Sequence, residues 1–106
     1  MTKKLYKYTI LKQDGTIKEL EPCPKKSLAE LYEILDCHTI QLIPKAYCKG
    51  KDWAKGSFTL YGDDEGKYNP DNYRNPHFAV LTGDIMNPSM EWDVVGNIVK
   101  EEVYKS

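Results

Sequence analysis

The chain has 106 residues, 41% hydrophobic and 29% charged, with a formal charge of -1. That length suits a single domain with one core, and the composition lies far from the low-hydrophobicity, high-charge signature of disorder. A charge this close to zero excludes a whole-molecule attraction for polyanions, so any nucleic-acid contact has to come from a local patch.

The start, Met1-Thr2-Lys3-Lys4-Leu5-Tyr6, runs into an alternating pattern without the apolar core of a signal peptide. No stretch approaches the roughly 20 apolar residues of a membrane span. Three cysteines, Cys23, Cys37 and Cys48, are an odd number at irregular spacing. They read as free thiols in a reducing compartment, and the expected location is cytoplasmic.

Residues 5–11 alternate around Tyr6, Tyr8 and Ile10, meet Asp14-Gly15, and continue as the β-branched and charged run 16–20. A hairpin is predicted, because Asp-Gly tolerates the positive φ angles of a two-residue turn whose twist matches the flanking strands. Glu21-Pro22-Cys23-Pro24 then breaks the strand, since each proline removes a ladder donor and disfavours helix in the residue before it. Ser27 and Glu30 form a capping box. Leu28, Leu31, Tyr32 and Leu35 recur on one helical face, which predicts an amphipathic helix of about two to three turns.

Residues 39–43 read as a third strand ended by Pro44, and residues 57–61 as a fourth with Phe58 and Leu60 on one face. Between them, residues 45–56 place Lys45, Lys49, Lys51 and Lys55 around Tyr47 and Trp53, with Asp52 the only acid and Gly56 at the end. This basic, aromatic stretch is expected to form an extended hairpin loop. Gly62-Asp63-Asp64-Glu65-Gly66 is a turn cluster, and Lys67-Tyr68 resumes a short strand before Asn69-Pro70 stops it. A second helix of about two turns is predicted over residues 76–82, with Asn75 as cap, Pro76 in the first helical position and Gly83 as the left-handed end. It would carry Phe78, Ala79 and Leu81. Residues 92–99 alternate Trp92, Val94 and Ile98 on one face as the last strand, and Gly96 marks a bulge or a close backbone approach. The order predicts one α+β domain over residues 1–106, an antiparallel or mixed sheet of about five to six short strands with two short helices on one face.

Several clusters carry chemistry-bearing side chains. Cys23, Cys37, His38 and Cys48 include zinc-ligand types, but they lack a Cys-x-x-Cys knuckle, and a strand would point Cys37 and His38 to opposite faces. These cysteines read instead as small packing groups. A thiolate-imidazole pair would need His38 or His77 beside Cys37 or Cys48, and nothing in the sequence joins them. Asp63, Asp64 and Glu65, with Asp84 or Asp93, are cation-ligand types without calcium-loop spacing, and they read as a solvated turn. No dinucleotide, nucleoside-triphosphate or hydrolase fingerprint is present, so neither an enzyme, a metal nor a cofactor is expected.

The stronger candidate site is the lysine loop. Lys49, Lys51 and Lys55 would take a phosphate while a base stacks on Trp53 or Tyr47. Arg74, in the run Asn72-Tyr73-Arg74-Asn75 ahead of the second helix, would add to it. Solubility accounts equally for exposed lysines, and core packing accounts for Trp53. Eight tyrosines and two tryptophans exceed what a core of this size needs and favour an interaction surface. The competing explanation is that Tyr6, Tyr8 and Tyr61 cover a sheet face by cross-strand pairing.

Taken together, Tyr8-Thr9-Ile10-Leu11-Lys12-Gln13-Asp14-Gly15-Thr16-Ile17, Ser27-Leu28-Ala29-Glu30-Leu31-Tyr32, Gly62-Asp63-Asp64-Glu65-Gly66-Lys67, Asn75-Pro76 with Ala79 and Leu81, and Asp93-Val94-Val95-Gly96-Asn97-Ile98-Val99 follow a recognisable order. The chain resembles a family of short domains of unknown function found in phages, plasmids and some large DNA viruses. It departs from that pattern in having three residues between Asn75 and Ala79, where about two are expected, and in a long 45–56 segment. The resemblance implies a viral or mobile-element accessory protein acting inside a host cell, and it brings no catalytic residues. The leading expectation is a non-enzymatic binding module for a host or viral macromolecule. The alternative is a protein that binds or sequesters a nucleotide or other phosphate through the 45–56 loop.

Overall fold

The computed structural model describes residues 4–43, 51–63, 65, 70–78, 81–82, 91–92 and 94–104, with 81–82 and 91–92 described as backbone. In chain order the elements are β1 (Tyr6–Leu11), β2 (Ile17–Glu19), α1 (Leu28–Leu35), β3 (Ile40–Leu42), β4 (Thr59–Asp63), β5 (Leu81–Thr82), β6 (Glu91–Trp92) and β7 (Ile98–Val103). Five strands form one sheet in the order β2-β1-β7-β4-β3, and β5 and β6 form a separate pair. Every pairing is antiparallel. The α+β class and the antiparallel sheet match the sequence expectation.

Among the described residues there is one helix. Ser27 caps it by accepting from the Glu30 amide at 3.3 Å, as the capping box requires. Leu31 is buried, and Ile34 and Leu35 pack with it against Tyr8 and Val99, whereas Leu28 is exposed. The buried stripe is therefore one position round from the expected one. The second helix is a correction. Residues 76–78 form a turn, and Leu81–Thr82 is a strand paired with Glu91–Trp92; its remaining residues and Gly83 lie outside those described. Asn75, the predicted cap, is fully buried. Its Nδ2 donates to Leu11 O at 2.7 Å and Gly96 O at 2.8 Å, while its Oδ1 accepts from the His77 amide. That last bond is the capping bond the sequence predicts, so the turn at 76–78 starts as expected, while Leu81–Thr82 pairs with Glu91–Trp92 instead of completing a helix.

The hairpin forms between β1 and β2, but through a three-residue loop. Gly15 N donates to Lys12 O at 3.0 Å, Lys12 N donates to Thr16 O at 2.9 Å, and Gly15 has φ 94°. This is a β-turn closed by a left-handed glycine bulge. The Asp14 carboxylate accepts from both the amide and the hydroxyl of Thr16, and these bonds hold its pKa below the usual range.

Strand alternation divides the core between two faces. On one, Tyr8, Val99 and Leu31 form a cluster flanked by Tyr6, Ile10, Ile40 and Tyr61. On the other, Leu11, Leu60, Ile98 and Ile43 join Phe58, Phe78 and Val94 under Trp53 and Ala54. Removing each such side chain from water is worth about 1.5–3 kcal/mol. On this second face Gly62 lies so close to Ile98 that an added Cβ would sit 2.8 Å from its Cδ1. Among the described residues the second face is covered by connecting segments. Residues 73–75 run beside 94–96, through Asn75 N to Val94 O and Gly96 N to Tyr73 O. The predicted 92–99 strand is thereby split: Glu91–Trp92 pairs elsewhere, Val95 makes an isolated antiparallel bridge to Arg74, and Gly96, at φ 79° with Asn72 against it, separates that bridge from β7.

Candidate basic groove

Because β1 and β7 run antiparallel with Tyr6 opposite Val103, the start of one and the end of the other share one end of the sheet. Tyr104 N donates to Leu5 O at 2.9 Å and extends that pairing. Strand β4 pairs with β7 on its other side, with Thr59 opposite Glu101, so residues 55–57 reach the same end. The result is an open groove of about 770 Å³ lined by Lys4, Lys7, Lys55, Ser57, Glu102 and Tyr104, with Gly56 and Val103 between them.

Its charge is more positive than its residue list suggests. Glu102, the only acid in the lining, sits 3.4 Å from the ammonium of the buried Lys100. Lys7 pairs with Glu19 at 3.3 Å, but an ion pair this exposed contributes at most about 1 kcal/mol and yields readily to a better anion. Lys4 and Lys55 are exposed. Beyond the groove the Tyr6 ring has the ammonium groups of Lys4 and Lys25 at 5.9 and 5.8 Å from its centroid, within cation-π range.

Lys100 also fixes the loop that carries Lys55. From the central strand its Nζ donates to Trp53 O at 2.6 Å and lies 5.3 Å from the Phe58 ring centroid. The Trp53 ring packs edge-on to Phe78 and Phe58, at 5.3 and 6.3 Å between centroids. Its neighbour in β7, Glu101, is buried on the opposite face and accepts from Tyr8 Oη at 2.6 Å and Tyr61 Oη at 3.3 Å. Tyr8 Oη also accepts from the Lys26 amide at 2.8 Å. Burial, then the Glu101 hydrogen bond, pushes the Tyr8 phenol well above the ordinary tyrosine range. Burial and the Glu101 charge likewise raise Tyr61. Tyr8 and Tyr61 therefore do not pair directly across strands. They stand on either side of β7 and share one carboxylate.

Of the residues singled out from sequence, Lys55 enters the groove, Trp53 folds onto the core, and Lys51 and Arg74 are exposed outside the lining. Tyr47 and Lys49, with Lys45 and Cys48, lie outside the described residues, as do Asp64 and the Lys67-Tyr68 strand. Asp63 Oδ1 accepts from the Glu65 amide at 2.9 Å, a turn-stabilising bond. Cys23 and Cys37 are free thiols, and burial raises the Cys37 pKa. His77 stacks edge-on to Trp53, and its Nε2 meets Thr16 O at 3.2 Å. Among the described residues no three His, Cys, Asp or Glu side chains gather as metal ligands, and no helix is long and apolar enough to cross a membrane.

Sequence reasoning missed Lys4, Lys7, Ser57 and Tyr104 as neighbours of Lys55. They come from three separate segments, and only the β1-β7-β4 pairing brings them together. Comparison with protein-family models, with curated proteins and with solved structures finds no match in any of the three.

Proposed function

We propose that this chain is a non-enzymatic binding module that engages an acidic macromolecular partner through the groove at the open end of its sheet. The observation that carries this reading is the convergence of Lys4, Lys7 and Lys55 around a single acid already neutralised from beneath by Lys100. The groove is open, and sites for small ligands usually enclose most of the ligand surface, so an extended partner fits better than a sequestered nucleotide. The tyrosine-surface version has less support, because Tyr8 and Tyr61 are committed to Glu101 inside the fold. A role as a viral or mobile-element accessory protein rests on the sequence resemblance alone, and a cytoplasmic location on the odd, irregularly spaced cysteines.

A melting-temperature series with inorganic polyphosphate tests the reading, because a ligand that binds only the native state raises apparent stability. The expected result is a rise for the parent protein that is lost in the Lys7→Glu, Lys55→Glu double variant. Equal rises in both proteins, or none in either, would remove the groove from consideration.

A further inference from the structure

The charge of the groove admits several kinds of acidic partner, but its shape and its uncharged lining narrow the choice. Tyr104 stands at the edge of the lysine cluster with 39% of its surface exposed. Gly56 adopts φ 80° and has no atom within 4 Å of where a Cβ would stand, so the space above its backbone is open. Beside it Ser57 is exposed and lines the groove. Hydroxyls, approachable backbone amides and ammonium groups are the donors that hold phosphodiester oxygens. An exposed aromatic ring at the rim is what an unstacked base requires.

Building on the groove reading above, we infer that the acidic partner is single-stranded nucleic acid. Its phosphates are taken by Lys4, Lys7 and Lys55, and a base stacks on Tyr104. Recognition of this kind is indifferent to sequence, because every base offers a π-face and the lysines read only phosphate. The formal charge of -1 means the attraction is local, so binding is expected to be salt-sensitive in proportion to the few lysines involved.

The experiment is fluorescence anisotropy of a labelled twelve-nucleotide oligothymidine with the 106-residue chain, run beside retention on inorganic polyphosphate. With three phosphate contacts, raising salt from 50 to 200 mM is expected to weaken oligonucleotide binding by roughly twentyfold. Tyr104→Ala is expected to weaken it by about tenfold while leaving polyphosphate retention unchanged, and Lys55→Ala to weaken both and flatten the salt dependence. Circular dichroism melts confirm that each variant is folded; both replaced side chains are exposed. Polyphosphate retention without oligonucleotide binding, or oligonucleotide binding indifferent to Tyr104→Ala, would overturn this inference and leave the acidic-partner groove standing. Preferential binding of a polyglutamate peptide would point to an acidic protein instead and overturn it equally. Failure of every polyanion would overturn both readings.

Discussion

Replacing Tyr8 by phenylalanine removes one oxygen from the centre of the molecule and isolates the bond on which one face of the sheet depends. The hydroxyl donates to a buried carboxylate at 2.6 Å and accepts from the Lys26 amide at 2.8 Å. A hydrogen bond to a charged group is worth about 1.5–3 kcal/mol, and an amide left near the surface adds a few tenths. The expected loss is therefore about 2–3 kcal/mol, or roughly 10–15 °C in melting temperature for a domain of this size. Tyr61→Phe, whose bond is longer and half-buried, should lose under about 1 kcal/mol. The pH dependence supplies an independent check. Both phenols have pKa values raised by folding, so the neutral form is the one the native state favours. Their contribution is fully present below the unfolded value of about 10 and is lost as pH rises above it, by up to about 1.4 kcal/mol per pH unit per tyrosine. Urea denaturation between pH 7 and 11 should show the parent curve falling above about pH 10, with the gap to Tyr8→Phe narrowing there. A loss below about 0.5 kcal/mol with parallel alkaline curves would refute the claim that this hydroxyl is bound to Glu101.

Lys100→Ala should cost about 3 kcal/mol, because it strips Trp53 O and Glu102 of their buried partner. It should also shift Trp53 emission to longer wavelength, whereas Lys100→Met, which keeps the bulk over Phe58, should lose less. Asn75→Ala removes two buried donor bonds and the acceptor for the His77 amide; a loss of about 2–4 kcal/mol with faster exchange at His77 is expected in hydrogen-exchange measurements. Gly62→Ala presses a methyl against Ile98 and should destabilise by about 1–3 kcal/mol without changing the groove, which thermal melts and the polyphosphate assay together would show.

Local chemistry was legible from residue order alone. Asp14-Gly15 sets a hairpin because only glycine takes its backbone angle without strain, and Ser27 with Glu30 starts the helix because side-chain oxygens satisfy its orphan amides. Phe58 and Leu60 lie on one buried face as their spacing requires. What failed were features whose local signal was outweighed by distant partners. Asn75 caps the turn at 76–78 as its sequence suggests, yet Leu81 and Thr82 pair with Trp92 and Glu91, partners that no local signal reveals.

The same division governs the candidate site. The basic character of the 51–57 segment is written in the sequence, but its neighbours Lys4, Lys7 and Tyr104 are separated from it by half the chain. Lys100 and Glu101 read as ordinary charged residues, and in isolation such residues belong in water. They became buried, on opposite faces, because β7 is the central strand between β1 and β4. Alternation determines that consecutive strand residues face opposite ways. Only the long-range pairing of strands decides whether either face meets solvent, and therefore which charges build the interior and which are left at the groove.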